Sequence, residues 1–272
     1  MINLLNSNGI NVNTILIVVA IVAVIAVIFG VLIVTVSKVC HVEEDERIGK
    51  TQELLSGANC GGCGFAGCAD FAKAVVEGRA SLESCNATAN ENKAQIASIL
   101  GIPFSATEEM VAVVKCAGGN NAKDKFDYVG NLSCASINSF FKGNKACIDG
   151  CLAGGSCAIA CQENGVSIKA GVAVVDRNNC VACKACVNAC PKQIIELIPK
   201  SAKVYVACSN KCKGKEVLSV CSVGCIGCGL CAKNCPSQAI TMENNLAVID
   251  YTKCSGCGVC VQKCPRHTIK ET

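Results

Sequence analysis

CIGCGLCAKNCP, residues 225–236, sets four thiols at intervals of two, two and three residues and closes on proline. CSGCGVCVQKCP, residues 254–265, repeats the arrangement. Two intervening residues let the backbone curl so that three thiolates face a common centre, with N–H groups turned toward the sulfurs. The proline then breaks the helical tendency and sends the chain away. Runs of this kind ligate iron–sulfur clusters, and in two-cluster chains the fourth cysteine of each run serves the other cluster. The spacing therefore assigns Cys225, Cys228, Cys231 and Cys264 to one 4Fe–4S cluster, and Cys254, Cys257, Cys260 and Cys235 to a second. A zinc ribbon uses paired CxxC motifs but not runs ending in Cys-Pro. Between the runs, AITMENNLAVID (239–250) predicts two short strands with a turn at Glu243-Asn244-Asn245.

Working backwards, the same pattern recurs. Cys134, Cys147, Cys151, Cys157 and Cys161 reappear 74 residues later as Cys208, Cys221, Cys225, Cys231 and Cys235. Cys180, Cys183, Cys186 and Cys190 reappear at the same offset as Cys254, Cys257, Cys260 and Cys264. Nine cysteines in register mark a tandem duplication, so one bacterial-ferredoxin-like module is used twice. The first copy departs from the second at two positions. Gly154 stands where the repeat places Cys228, and Gln162 where it places Pro236. A lost middle ligand alone would leave a three-iron cluster. Cys147-x3-Cys151-x5-Cys157 still offers three thiols, so the expected sets are Cys147, Cys151, Cys157 and Cys190, and Cys180, Cys183, Cys186 and Cys161. An alternative in which Cys221 displaces Cys228 in the second copy stays open.

Upstream lies NCGGCGFAGCADFAKAVVEGRASLESC, residues 59–85. Cys60-x2-Cys63-x4-Cys68 can wrap three corners of a cubane, and the interleaved glycines permit the close backbone approach this needs. A helix is predicted from about Ala69 to Glu77, stopped by Gly78. Cys85 then returns as fourth ligand, giving a fifth cluster in a small domain. Residues 86–115 predict two short helices broken at Gly101-Ile102-Pro103.

Composition agrees with metal-held folds. The chain has 272 residues, 26 cysteines and no tryptophan, too little bulky apolar material for its soluble part to rest on a core alone. The net charge of +4 makes no demand for nucleic acid. Thr14–Val36 is apolar and uncharged, long enough to span a bilayer as a helix. Nothing basic precedes it, whereas Lys38, Arg47 and Lys50 follow, which places the rest of the chain on the cytoplasmic side of the cell membrane in a single pass. That side is reducing, so metal-bound thiolates are expected rather than disulfides.

Five clusters leave Cys40, Cys116, Cys134, Cys208, Cys212 and Cys221. Cys40, at the membrane edge, reads as a spectator thiol or an acylation site. A sixth set of Cys116, Cys134, Cys208 and Cys221 is an alternative to their being buried small apolar side chains. Lys211, Lys213 and Lys215 form a basic loop that could steer an acidic partner such as a ferredoxin. His41 and His267, the only histidines, have no partners suggesting catalysis. No G-x-G-x-x-G stands between a strand and a helix, no P-loop is present, and the span holds no ionisable residue, so nucleotide binding and ion passage belong to other chains.

The stretch from Asn59 to Cys85 resembles the cluster domain of the B subunit of the Rnf complex, itself similar to a domain of corrinoid iron–sulfur proteins. The order of anchor helix, this domain and ferredoxin modules matches that family, so the resemblance covers nearly the whole chain. It implies an α+β chain with an N-terminal transmembrane anchor (1–37), a linker (38–58), a small α-helical 4Fe–4S domain (59–115) and two ferredoxin-like modules (116–199 and 200–272). It also implies a role: accepting electrons from reduced ferredoxin and relaying them to a membrane complex that reduces NAD while moving Na+ or H+. The duplicated module goes beyond the commonest short form, which has one. The rival readings are a membrane-tethered electron donor that activates a corrinoid or radical enzyme, and a structural metal-binding scaffold.

Overall fold

The computed structural model describes residues 12–39, 45–106 and 108–272; Cys40 and His41 lie outside them. The chain falls into two units, residues 1–45 and 46–272.

The first unit contributes α1 (Val12–Val39). Within it, Ile15–Val36 has a mean hydropathy of 3.5 and no side chain buried. A helix that is apolar on every face suits a lipid surround. Its 28 residues extend about 42 Å, enough to cross a hydrocarbon layer.

The second unit begins with three packed helices: α2 (Glu46–Leu54), α3 (Cys68–Val76) and α4 (Asn90–Leu100). Phe71 and Val75 of α3, Ile96 and Ala97 of α4, Leu55 after α2 and Leu82 of the intervening turn form their core. Much of the stretch 38–58, expected as a linker, is therefore the first helix of the small domain, with Thr51 wholly buried against it. Gly78 takes φ +72 after α3, and Gly101 takes φ +66 at the end of α4. Both are left-handed stops that a glycine adopts without strain. The second helix expected before residue 115 is instead a strand, β1 (Met110–Val114). Its sequence, MVAVV, is rich in β-branched residues, and this tendency prevails because a remote strand, Ile195–Pro199, offers a partner.

The remaining elements repeat. Module 1 holds α5 (Cys134–Ser139), α6 (Ser156–Ile159), β2 (Val166–Lys169), β3 (Val172–Val175), α7 (Ala185–Asn188) and β4 (Ile195–Pro199). Module 2 holds β5 (Val204–Val206), α8 (Gly214–Val220), α9 (Leu230–Lys233), β6 (Ile240–Glu243), β7 (Leu246–Ile249), α10 (Val259–Lys263) and β8 (Ile269–Glu271). The strands form four antiparallel pairs: β1–β4, β2–β3, β5–β8 and β6–β7. The β6–β7 hairpin turns at Asn244 (φ 48) and Asn245 (φ 64), a conformation asparagine tolerates better than most residues. Each module buries a small core in which apolar side chains share the interior with cysteines.

The pairings also define a structural equivalence that sequence offset does not. Val114 opposes Ile195 and Val206 opposes Ile269. Ile195 and Ile269 are 74 residues apart, whereas Val114 and Val206 are 92 apart. Module 1 thus carries 18 additional residues between its first strand and its cysteine run, and Cys134 lies in that stretch.

Candidate functional site

The functional chemistry rests on thiols, and each of the 25 cysteines in the described residues is free. Among the described residues, no three His, Cys, Asp or Glu side chains converge closely enough for a single metal ion. The thiols stand around cavities instead.

In module 2 one cavity is lined by Cys225, Cys228, Cys231, Cys264 and Pro265. A second is lined by Cys235, Pro236, Cys254, Cys257 and Cys260. The fourth cysteine of each run sits with the opposite three. The residue two positions after each proline, Gln238 or His267, has φ 50. That turn aims the Ala239 N–H at Cys235 Sγ and the Thr268 N–H at Cys264 Sγ, both at 3.4 Å. Burial alone would raise both thiols, but such backbone donors outweigh it and hold both below the ordinary value. N–H donors on sulfur are what a cluster thiolate needs.

In module 1 the structure corrects one expectation. A cavity is lined by Cys134, Cys151, Cys157 and Cys190, with Pro191 beside them. Cys147, expected in this set, is not there, and Cys134 takes its place. The reason lies at Gly154. A Cβ there would overlap the Leu132 carbonyl oxygen and stand 3.1 Å from Cys134 Sγ. The inserted segment thus delivers the Cys134 thiol to the space that the Cys228 side chain fills in the other copy. Ser133 caps α5, its hydroxyl accepting the Ser136 N–H at 3.1 Å, and Ser156 Oγ accepts the Cys134 N–H at 2.9 Å. Burial pushes the Cys157 thiol up to about 11, followed by the proximity of Cys151, Cys134 and Cys190. The other module 1 set gathers around Cys186. Burial raises that thiol to about 12, with Cys180, Cys183, Cys157 and Cys161 close enough to add to the shift. The Ala112 N–H of β1 points at Cys180 Sγ, 3.4 Å away.

In the small domain, Cys68 opens α3, and its N–H is accepted by Asn59 Oδ1 at 2.8 Å. Burial raises Cys63; the Phe65 backbone opposes this, and Cys85 and Cys60 reinforce it. Cys85 Sγ lies 3.3 Å from Thr88 Oγ1. The loop carrying these thiols abuts module 1. A Cβ at Gly62 would overlap the Cys183 carbonyl oxygen, and Cys60 contributes to the upward shift of the Cys183 thiol.

Lys93 of α4, only 2 % exposed, is held below the usual lysine range by burial, against the pull of Cys85 and Glu83. A buried cation beside Cys85 favours the more negative state of anything held there. Lys93→Met is expected to lower the midpoint potential of the small-domain centre by about 30–60 mV, roughly 0.7–1.4 kcal/mol for one electron. Potentiometric EPR of that centre checks this, and an unchanged potential would contradict it.

Two residues at these sites carry roles that sequence reasoning missed. One is Cys134. The other is Asn210, a 3 % exposed amide whose Nδ2 donates to Cys147 Sγ at 3.2 Å. Nothing in the cysteine spacing marks Asn210. The signal for Cys134 was the unmatched Gly154.

Free thiols grouped in fours, N–H donors on their sulfurs and an apolar helix of membrane length in the same chain define a membrane-associated iron–sulfur electron carrier. Family comparison agrees: an Fe-S cluster family matches residues 55–87, a 4Fe-4S binding domain 173–196 and a 4Fe-4S dicluster domain 224–268. Similarity over most of the chain goes further. The chain is 39% identical to the B subunit of the Na(+)-translocating ferredoxin:NAD(+) oxidoreductase complex of Acetobacterium woodii, over 89% of this chain and 73% of that protein. It is 40% identical to the B subunit of the ion-translocating oxidoreductase complex of Methanosarcina acetivorans, over 82% and 86% respectively. With the B subunit of the proton-translocating ferredoxin:NAD(+) oxidoreductase complex of Clostridium ljungdahlii it shares 38%, over 88% and 85%. The chain belongs to this family, the B subunits of Rnf-type ion-translocating oxidoreductase complexes.

Proposed function

We propose that the chain carries electrons from reduced ferredoxin into a membrane complex that reduces NAD and moves Na+ or H+. Five thiol sets would hold its 4Fe–4S clusters. They are Cys60, Cys63, Cys68 and Cys85; Cys161, Cys180, Cys183 and Cys186; Cys134, Cys151, Cys157 and Cys190; Cys225, Cys228, Cys231 and Cys264; and Cys235, Cys254, Cys257 and Cys260. When bound, such clusters supply one-electron oxidation and reduction at potentials set by hydrogen bonds to sulfur and by burial.

The observation that carries this reading is contiguity. The Cys60 loop lies against Cys183, and Cys157 lies close enough to Cys186 to raise its thiol. The protein's own contribution is to space the thiol sets, exclude water from them and orient N–H groups at the sulfurs. Cys228 and Cys257 are exposed, which gives module 2 an accessible edge. Lys211, Lys213 and Lys215 are exposed on the same module, and Asn245 Nδ2 of the hairpin turn donates to the Lys211 carbonyl at 3.1 Å. The basic residues Lys38, Arg47 and Lys50 after the apolar span support a cytoplasmic location for the thiol-bearing part, with one pass of the membrane. The domain division that fits best starts the small domain near residue 46.

Stopped-flow mixing with a reduced acidic ferredoxin tests this. The chain should be reduced rapidly, at a rate falling steeply with ionic strength. Replacing Lys211, Lys213 and Lys215 together by Glu should slow the reaction about tenfold or more at low salt. A chain that takes no electrons from ferredoxin, or does so at a salt-independent rate unaffected by the three changes, would contradict the reading.

A further inference from the structure

Six cysteines fall outside all three family matches and outside the five sets above, and four of them are Cys116, Cys147, Cys208 and Cys221. These four line one cavity, as the thiol sets within the ferredoxin modules do. We propose that these four thiols form a sixth 4Fe–4S site, built at the joint between the two ferredoxin modules. The inference rests on the iron–sulfur reading above and extends it.

The site has the internal symmetry of the duplication. Cys116 lies two residues beyond β1 and Cys208 two residues beyond β5, and both strands pair with equivalent partners, β4 and β8. Lys115 donates to the Ile194 carbonyl and Ala207 to the Thr268 carbonyl, acceptors separated by the 74-residue offset. Cys147 and Cys221 are themselves partners at that offset. Each module thus supplies two thiols from matching places. This also corrects the alternative set Cys116, Cys134, Cys208 and Cys221: Cys134 and Cys147 exchange places relative to the expectation. The offset that aligns Cys134 with Cys208 is incidental, because Cys134 sits in the 18 extra residues and the strand pairing makes Cys116 the counterpart of Cys208.

Hydrogen bonding separates a ligand set from buried spectator thiols. The Cys151 N–H points at Cys116 Sγ at 3.4 Å, and the Cys225 N–H points at Cys208 Sγ at 3.5 Å, again a repeat-related pair. Cys116 Sγ accepts a second donor, the Gly118 N–H, at 3.4 Å. Cys147 Sγ receives Asn210 Nδ2, whose own Oδ1 accepts the Cys212 N–H at 2.7 Å and so fixes which way the amide faces. Spectator thiols are small apolar side chains and gain little from a buried amide spent on them. Thiolates held around a cluster gain charge-assisted bonds. Gly118 borders two of the thiols: a Cβ there would be in ordinary contact with Cys116 Sγ at 3.5 Å and Cys221 Sγ at 3.6 Å. A lone zinc ion would need the four sulfurs drawn to one point at about 2.3 Å each, and they instead ring a cavity. Cys151 and Cys225 belong to neighbouring sets, so the backbone donors on Cys116 and Cys208 come from the ligand segments on either side. Six sets of four leave only Cys40 and Cys212 of the 26 cysteines.

The test uses the full chain, produced and purified without oxygen in detergent, with iron, zinc and sulfide counted per chain and clusters counted by native mass spectrometry. The wild type should carry about 24 iron atoms, six clusters of four. Cys208→Ala and Cys147→Ala should each lose the same EPR component and up to about four iron, leaving the other five clusters in place. Asn210→Leu removes no thiol and should shift the potential of that one component downward at unchanged iron content. A wild type with five clusters, or with one zinc in place of the sixth, would overturn the inference while leaving the five-cluster reading intact. So would Cys208→Ala and Cys147→Ala proteins with wild-type iron. A wild type devoid of iron would overturn the five-cluster reading as well.

Discussion

Cys134→Ala should convert a four-iron cluster of module 1 into a three-iron cluster or abolish it. The expected readout is a loss of one to four iron atoms per chain, about one when the cluster persists with three thiols and about four when it does not. A surviving three-iron centre would give an EPR signal in the oxidised protein, where oxidised cubanes are silent. Gly154 is the reason. Because that residue lacks a Cβ, the Leu132 carbonyl and Cys134 can pack onto it and bring the Cys134 thiol to the cavity shared with Cys151, Cys157 and Cys190. Gly154→Ala should therefore produce the same spectral change with every cysteine present, since the added methyl overlaps the Leu132 carbonyl and displaces the segment. If Cys147 were the ligand instead, Cys134→Ala would leave the module 1 spectrum intact. That result would contradict the structural placement.

The second large effect is expected at Gly62. Its φ is not in the left-handed region, so backbone strain is no obstacle to a side chain there. The obstacle is the Cys183 carbonyl oxygen, which a Cβ would overlap and which, as backbone between two cluster-set cysteines, cannot rotate away. Gly62→Ala should cost about 1–3 kcal/mol, the usual range for overpacking. Relief comes most easily by separating the small domain from module 1. Hydrogen exchange should then rise across the Cys60 loop and around Cys183, and the magnetic interaction between the two neighbouring centres should weaken. Protection and coupling equal to the wild type would show that the close approach of Gly62 to Cys183 is not a feature of the folded protein.

These two positions show where sequence was sufficient and where it was not. In module 2 the thiols that share each cavity follow the run spacing, because consecutive thiols at fixed short spacing allow few arrangements and the chain turns after each proline. The helix Cys68–Val76 was legible from the glycines that flank it. Module 1 was partly hidden. Sequence offset aligned Cys134 with Cys208, but the pairing of β1 with β4 and β5 with β8 makes Cys116 the counterpart, and pairing between strands so far apart in the chain leaves no local trace. The strand at Met110–Val114 was missed for the same reason: its partner is remote. The helix Glu46–Leu54 was legible as a charged, helix-prone connector, but its packing was not, because in ERIGKTQEL only Thr51 is fully buried. Asn210 could not be read at all, since a polar residue in a loop becomes a thiol's donor only once two modules are docked.

An EPR-monitored redox titration of the anaerobic full chain, at defined ionic strength, decides whether its clusters work at ferredoxin potentials. An electron carrier that accepts from ferredoxin and delivers toward NAD should have most of its clusters titrating near or below about −400 mV, the range of low-potential ferredoxins. Clusters that titrate well above the nicotinamide couple could not pass electrons on to it, and that result would contradict the account.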